Sequence, residues 1–175
     1  MSCQIILKYP YVVELSFYLD EMLKKISFAI LTVVPIHLLF LGAAKANCWT
    51  EAENTYGISW KVLYAISLQE SSGDPTVIAF NKDSYDIGLM GINSWWLDKL
   101  SPFGITERRL IEDPCTNLLV GAWILRQEID RYGYNWVAVG AYNAGAYTER
   151  TKQKKLRIYK RYANLVNERL SSISN

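Results

Sequence analysis

Apolar residues recur at helical spacing along residues 58–71, and this stretch constrains the fold more than any other. The pattern is i, i+4, i+7, i+8, as in a helix with one buried face: Ile58, Val62, Ala65 and Ile66. The next position on that face is Glu70, and the helix must end soon after it because Gly73 and Pro75 follow. The sequence therefore predicts a helix whose last turn directs a carboxyl group toward the core or a cleft.

A glutamate at this place is suited to acid catalysis. The negative end of the helix dipole and partial burial both disfavour the charged form of a carboxyl group, so both raise its pKa. Glu70 is therefore predicted to stay protonated near neutral pH, as a general acid requires. The alternative is a glutamate that turns out to solvent where the helix frays.

The first 46 residues are predicted to be an export signal. A positive segment, 22–25, precedes the almost wholly apolar segment 26–42, and a small-x-small cleavage pattern ends at Ala46. A retained membrane helix is the alternative, since about 19 apolar residues can span a bilayer. Met22 is a candidate for the true start, because the residues before it do not fit a signal. We therefore expect one periplasmic domain, residues 47–175.

The predicted periplasmic chain contains no histidine, because the only one, His37, lies in the export signal. This excludes Ser-His-Asp and Cys-His catalysis and every zinc site that needs imidazole, and we expect no metal site. Two cysteines remain, Cys48 and Cys115, and such a pair in an exported protein predicts a disulfide, with two free buried thiols as the alternative. The net charge of +2 indicates no nucleic acid partner. Any catalysis must therefore use carboxylates.

The remaining pattern predicts a mainly α domain with little or no β-sheet and no convincing strand pair. Further helices are predicted over 48–56, 114–132 and 135–143, with a basic one from about Thr148. Polar, glycine-rich or short connections are predicted between them: 71–86, 87–97 and 102–112. The basic run of the last helix is predicted to be a solvated face, with anionic wall polymers or a membrane surface as the alternative partner.

Three short motifs occur in order along the chain: Glu70-Ser71, Gly-Leu-Met-Gly-Ile-Asn at 88–93 and Ala-Tyr-Asn-Ala-Gly at 141–145. Together they resemble the E-S, G-L-M-Q-I and A-Y-N-A-G motifs of lytic transglycosylases, in the goose-type-lysozyme-like superfamily. The resemblance covers roughly residues 47–165. Within that family the chain is most similar to small exported enzymes that accompany type III secretion, type IV pili and conjugation systems.

The resemblance implies a single lysozyme-like domain with a groove for peptidoglycan glycan strands. It implies that Glu70 protonates the oxygen between N-acetylmuramic acid and N-acetylglucosamine. The same group then acts as base toward the muramoyl C6 hydroxyl, so that a 1,6-anhydro ring closes and no water is added. It implies no cofactor, and components of a secretion, pilus or conjugation apparatus as partners. We expect a monomer.

The other motif positions carry over one by one as expected substrate-binding residues. Ser71 matches a serine near the substrate acetamido group, with a helix-end cap as the alternative. Met90 matches a methionine that lines the groove, with a core position as the alternative. Tyr142 matches a tyrosine whose hydroxyl lies near the glutamate, and Asn143 is expected mainly to hold the backbone of its motif.

Aromatic side chains near these motifs are candidates for stacking on sugar rings. They are Trp95, Trp96 and Tyr147. Aromatic faces suit the C–H surfaces of pyranose rings, but a place in the core is the alternative for each.

Two positions complicate the resemblance. Gly91 stands where the family has glutamine, so an amide is lost and a small void or a wider groove is expected. Asp86 lies two residues before Gly88 and is a candidate second carboxylate, with a solvated loop aspartate as the alternative. A second carboxylate is what a hydrolytic muramidase uses to activate water or to stabilise the oxocarbenium-like transition state. The alternatives to a lytic transglycosylase are thus such a muramidase and a weakly active glycan-binding scaffold.

Overall fold

A computed structural model describes residues 47–173 of the protein. The predicted export signal in 1–46, with cleavage after Ala46 and the candidate start at Met22, lies outside the described residues. None of the helices within 47–173 combines the length and the apolar character needed to cross a bilayer.

The described chain is mainly helical, as predicted. Its helices are α1 (Cys48–Tyr56), α2 (Trp60–Ser71), α3 (Leu97–Leu100), α4 (Glu107–Glu112), α5 (Pro114–Tyr132), α6 (Trp136–Ala144) and α7 (Lys152–Ile173), with 3-10 turns at Ser94–Trp96 and Ser101–Phe103. Three short strands, β1 (Ile78–Phe80), β2 (Tyr85–Ile87) and β3 (Ile92–Asn93), form an antiparallel sheet in the order β1-β2-β3.

Local sequence signals account for the ends of the helices. The Asp113 carboxylate accepts hydrogen bonds from the backbone N–H groups of Cys115 and Thr116 at the start of α5, and Pro114 occupies its first turn. The Asn135 side chain caps α6 in the same way. Gly57 ends α1 in the left-handed conformation, with φ +64°. The predicted helices over 48–56 and 114–132 are therefore confirmed.

All three predicted connections contain some regular structure instead. The segment from 78 to 93 forms the small sheet, although no strand pair was expected there. Its strands have only two or three residues, which is too short for an alternating apolar pattern to be visible in the sequence. Residues 102–112 include α4, which is a single short helix capped by the Thr106 side chain.

The core is built around α5, and a buried amide on this helix holds the loop that follows β2. Asn117 is fully buried, and its Nδ2 donates hydrogen bonds to the carbonyl oxygens of Ile87 and Leu110 at 2.9 and 3.0 Å. Its Oδ1 accepts one from the backbone N–H of Met90 at 2.8 Å. Gly88 passes so close that a Cβ atom there would lie 2.5 Å from the Asn117 Nδ2. The loop 88–91 is therefore fixed against α5.

A disulfide joins Cys48 at the start of α1 to Cys115 at the start of α5. The two Cα atoms are 5.5 Å apart, and the cysteines are 67 residues apart in the sequence. The bond ties the beginning of the described domain to its central helix.

Candidate active site

Glu70 lies in the last turn of α2, on the wall of a groove. The helix ends one residue later, at Ser71, and the next residue, Ser72, takes the left-handed conformation with φ +57°. The Tyr162 hydroxyl donates a hydrogen bond to Oε1 of Glu70. The backbone of Gly91 lies against the other carboxylate oxygen, Oε2. The carboxyl group is thus held between α7 on one side and the loop 88–91 on the other.

Burial raises the pKa of the Glu70 carboxyl from an ordinary value of 4.5 to about 7. The Tyr162 hydrogen bond works against this effect because it stabilises the charged form, while the nearby Asp86 carboxylate adds to it. A group with this pKa is about half protonated at neutral pH. It can therefore give up a proton and take one back under the same conditions.

The groove beside Glu70 has a volume of about 500 Å³. Its lining combines carboxylates, amides and aromatic rings, and among the lining residues are Asp86, Asn93, Trp95, Tyr142 and Asn143. Polar groups that can accept and donate hydrogen bonds, next to exposed aromatic faces, are suited to a carbohydrate chain.

Asp86 projects from β2 into the same groove, as predicted for a residue so close to Gly88. Its Oδ1 accepts a hydrogen bond from Asn93 Nδ2 at 2.7 Å, and its Oδ2 accepts one from Asn81 Nδ2 at 2.8 Å. Asn93 faces Asp86 across the β2–β3 pair. Both oxygens accept from amide donors, so the carboxylate has a fixed orientation.

Tyr142 and Asn143 reach the groove from the end of α6. The Tyr142 hydroxyl donates a hydrogen bond to the carbonyl oxygen of Met90 at 2.6 Å. Burial raises the pKa of this hydroxyl well above its ordinary value, and the Glu70 carboxylate raises it further. Tyr142 is therefore a neutral donor that secures the loop beside Glu70.

Ser71 and Met90 differ from the expectation that they contact substrate, and neither lines the groove. The Ser71 hydroxyl is buried and donates hydrogen bonds to the carbonyl oxygens of Ser67 and Leu89 at 3.1 and 2.9 Å. Met90 is fully buried, and its side chain packs against Gly121 of α5. Ser71 therefore joins the loop 88–91 to α2, and Met90 has the core position that was considered as its alternative.

The three aromatic candidates occupy different surroundings. Trp95 lines the groove with 74% of its surface exposed. Trp96 also lines the groove, but its ring packs edge-on against Trp123. Tyr147 instead stacks on Tyr132 in an aromatic cluster outside the groove lining. Trp95 is therefore the aromatic face most open to a sugar.

Gly91 was expected to leave a small void or a wider groove; it lines the groove, and no void lies beside it. The space beside it contains the Glu70 carboxyl group, because a Cβ atom at position 91 would lie 2.8 Å from Oε2.

Two groups of the site escaped the sequence analysis: Tyr162, which donates a hydrogen bond to the acid, and Glu128, which lines the groove. Tyr162 lies on the buried stripe of α7, at the i, i+3, i+4, i+7 spacing of Tyr159, Tyr162, Ala163 and Val166. That stripe is visible in the sequence, but the many basic residues between its positions are typical of a solvated helix. Glu128 is a nearly buried carboxylate of the groove, and Arg131 Nη1 donates to both its oxygens at 2.8 Å.

Replacing Tyr162 by phenylalanine is expected to move the alkaline limb of the activity–pH profile upward. The lost hydrogen bond stabilised the charged form of Glu70, so the pKa of the acid rises and its protonated form persists to higher pH. A net hydrogen-bond contribution of about 1 kcal/mol corresponds to roughly 0.7 pH unit. The pH profile of activity on purified sacculi, the substrate that the resemblance implies, measures the shift. Tyr134→Phe, outside the groove lining, serves as control. An alkaline limb that moves to lower pH would contradict the role of Tyr162 as the donor that stabilises the charged form of Glu70.

Comparison with known proteins shows which sequences the chain is similar to. The transglycosylase SLT domain matches residues 47–164. Invasion protein IagB of Salmonella typhimurium (strain SL1344) is 45% identical over 135 residues, covering 77% of this chain and 81% of that protein. Protein IpgF of Shigella flexneri is 35% identical over 129 residues, covering 71% of this chain and 84% of that protein. A peptidoglycan-binding-like protein of Escherichia coli O157:H7 is 32% identical over 159 residues, covering 86% of this chain and 94% of that protein. The matched span of the domain includes Glu70 and Tyr162.

Proposed function

Because the chain belongs to the transglycosylase SLT domain family and is a lytic transglycosylase with peptidoglycan as substrate, we propose that it cleaves the β-1,4 bond between N-acetylmuramic acid and N-acetylglucosamine and closes a 1,6-anhydro ring on the muramoyl residue. The observation that carries this proposal is the position of Glu70, whose largely buried carboxyl has a pKa of about 7 at the wall of a groove.

Glu70 serves as acid and then as base. In the first step its proton passes to the glycosidic oxygen as the bond from that oxygen to the muramoyl C1 breaks. In the second step the Glu70 carboxylate takes the proton of the C6 hydroxyl. The oxygen of that hydroxyl then bonds to C1 and closes the ring. The acid is thereby restored and no water is consumed. A pKa near neutrality suits both steps, because neither protonation state is strongly favoured.

The other polar groups of the groove support this chemistry in different ways. The oriented Asp86 carboxylate stabilises positive charge that develops on the sugar ring in the transition state. Trp95 stacks on a sugar ring of the bound glycan. Tyr142 and Asn143 also line the groove, and Tyr142 keeps the loop 88–91 in place.

We further propose that the enzyme acts in the periplasm as a monomer and opens the wall locally for an envelope-spanning machine of the type III secretion, type IV pilus or conjugation kind. The similarity to a protein named as an invasion protein supports such a setting. A groove that holds its acid and its polar wall within one chain is consistent with action as a monomer.

Analysis of the muropeptide products tests the proposed reaction. We expect mass spectrometry of digested sacculi to find 1,6-anhydro-muramoyl ends, which are one water lighter than reducing ends. The competing reaction is hydrolysis, which the presence of Asp86 in the groove favours, because a second carboxylate can activate water. Predominantly reducing ends that disappear in Asp86→Asn would establish the hydrolytic muramidase instead. Anhydro ends that persist in that variant at a reduced rate would support electrostatic stabilisation by Asp86.

A further inference from the structure

Lys99 places a positive charge on the wall of a groove whose other ionisable groups are acids. It lies on α3 and lines the groove together with Trp95 and Trp96. Among residues 47–173, every other charged side chain on the groove lining is a carboxylate, and these are Glu70, Asp86 and Glu128. An anionic group on a ligand is therefore attracted to the part of the groove beside Lys99 and disfavoured beside the acids.

The ammonium group of Lys99 is held in place without being neutralised. Its Nζ lies 4.7 Å from the centroid of the Trp96 ring, which is within the range of a cation–π contact. Lys99 is exposed, and within the described part of the chain it forms no salt bridge with a carboxylate. Arg131 differs, because Glu128 already pairs with it at 2.8 Å. The charge of Lys99 thus remains available to a ligand.

Lys99 also stands beside the aromatic face that is most open to a sugar. It follows Trp95 by four positions in the consecutive helical turns of residues 94–100, and Trp95 is 74% exposed. A pyranose ring that stacks on an aromatic face directs its substituents outward from the edge of the stack. Lys99 is therefore suited to contact a substituent of the sugar that lies on Trp95.

The two sugars of a peptidoglycan strand differ in the charge that they carry. N-acetylmuramic acid has a lactyl ether on C3, and its carboxyl group is either free or joined to a stem peptide that has carboxylates of its own. N-acetylglucosamine has an uncharged hydroxyl at C3. Carboxylates therefore recur on every second sugar of the strand.

We propose that Lys99 is a specificity-determining residue, which binds a carboxylate carried by the muramoyl residue whose ring stacks on Trp95. The proposal rests on the proposed function, in which a peptidoglycan strand lies in the groove. Because only every second sugar carries this carboxylate, the contact favours one of the two registers of the strand. It also favours peptidoglycan over an uncharged polymer of N-acetylglucosamine.

The test is a calorimetric measurement of binding in the Glu70→Gln background, where no bond is cleaved. Its ligands have equal numbers of sugars: strands with stem peptides, strands stripped by an amidase so that the lactyl carboxylates are free, and chitooligosaccharides without carboxylates. We expect Lys99→Gln to weaken binding of at least one of the first two ligands about fivefold, as for an exposed ion pair. Binding of chitooligosaccharides should not change. The ligand that responds identifies the source of the carboxylate.

Two control variants and the salt dependence separate a charge contact from a structural role. Lys99→Arg keeps the charge and should keep the affinity within about twofold. Lys61→Gln removes an exposed lysine of α2 outside the groove lining and should bind all three ligands like its parent. Added salt screens an exposed ion pair, so it should narrow the difference between the parent and Lys99→Gln. A role of Lys99 in merely supporting Trp96 would not produce this narrowing.

Equal weakening of all three ligands by Lys99→Gln, or unchanged binding of all three, would overturn the proposal. Because binding is measured without cleavage, this outcome is distinct from a failure of the proposed reaction. The preference for a carboxylate is expected whether the products have anhydro or reducing ends. Conversely, anhydro ends formed by an enzyme without this preference would leave the proposed reaction in place and remove only the role of Lys99.

Discussion

Glu70→Gln is expected to reduce the digestion of purified sacculi by at least about 1000-fold, in the range that a general acid–base group contributes. Glutamine has nearly the same shape, and its amide oxygen can still accept the hydrogen bond from Tyr162. It cannot release a proton to the glycosidic oxygen or take one from the C6 hydroxyl. The variant should therefore fold normally and still bind glycan strands.

The same substitution should stabilise the protein at alkaline pH. The folded state raises the pKa of Glu70 from 4.5 to about 7, so between these values the folded state binds more protons than the unfolded state. The stability of the wild type relative to the variant therefore falls as the pH rises from 4.5 to about 7, and stays lower above that. The shift corresponds to about 3 kcal/mol.

Urea denaturation of the wild type and Glu70→Gln at pH 4.5 and pH 8 measures this difference. Glu168→Gln, an exposed position on α7, provides a control for the exchange of a carboxylate for an amide. Unchanged digestion by Glu70→Gln would remove Glu70 from the mechanism. A stability difference that is independent of pH would show that the acid has an ordinary pKa in the folded state.

Removing the disulfide is expected to have the largest effect on stability, a loss of about 4 kcal/mol in the double variant Cys48→Ser, Cys115→Ser. The bond joins cysteines 67 residues apart. Closing a loop of this length lowers the conformational entropy of the unfolded chain, and this raises the free energy of the unfolded state by about 4 kcal/mol. The effect acts mainly on the unfolded state, since the ends of α1 and α5 are also held by their caps.

Urea denaturation of the oxidised protein and of the double variant measures the loss. Wild-type protein treated with a reductant should match the double variant, which controls for the serine side chains. The variant should keep its lytic activity at low temperature, where it remains folded, because neither cysteine lines the groove. A difference below about 1 kcal/mol would contradict the chain-entropy explanation.

The helices were predictable because their signals are local. The proline and aspartate that begin α5, the glycines that follow α1 and α5, and the apolar spacing of α2 all act within a few residues. The placement of Glu70 in the last turn of a helix follows from the same local pattern. The small sheet was not predictable in this way, because its two- and three-residue strands are defined by their partners and not by their own sequences.

The surroundings of Glu70 were decided by the tertiary structure alone. Tyr162 reaches it from 92 positions further along the chain, because α7 packs against both α2 and α6. That packing is close: a Cβ atom at Gly140 of α6 would lie 2.3 Å from the Cβ of Tyr159. Likewise, Asn117 turns the loop 88–91 so that Met90 enters the core and Gly91 faces the acid.

The sequence by itself therefore determined which carboxyl group stands at the end of which helix, and which cysteines were available to pair. The tertiary structure determined which groups press against that carboxyl and which oxygen each one meets. The physical reason is range: helix periodicity, caps and turns depend on neighbours in the chain, whereas the desolvation and hydrogen bonding that shift a pKa depend on segments brought together only by packing.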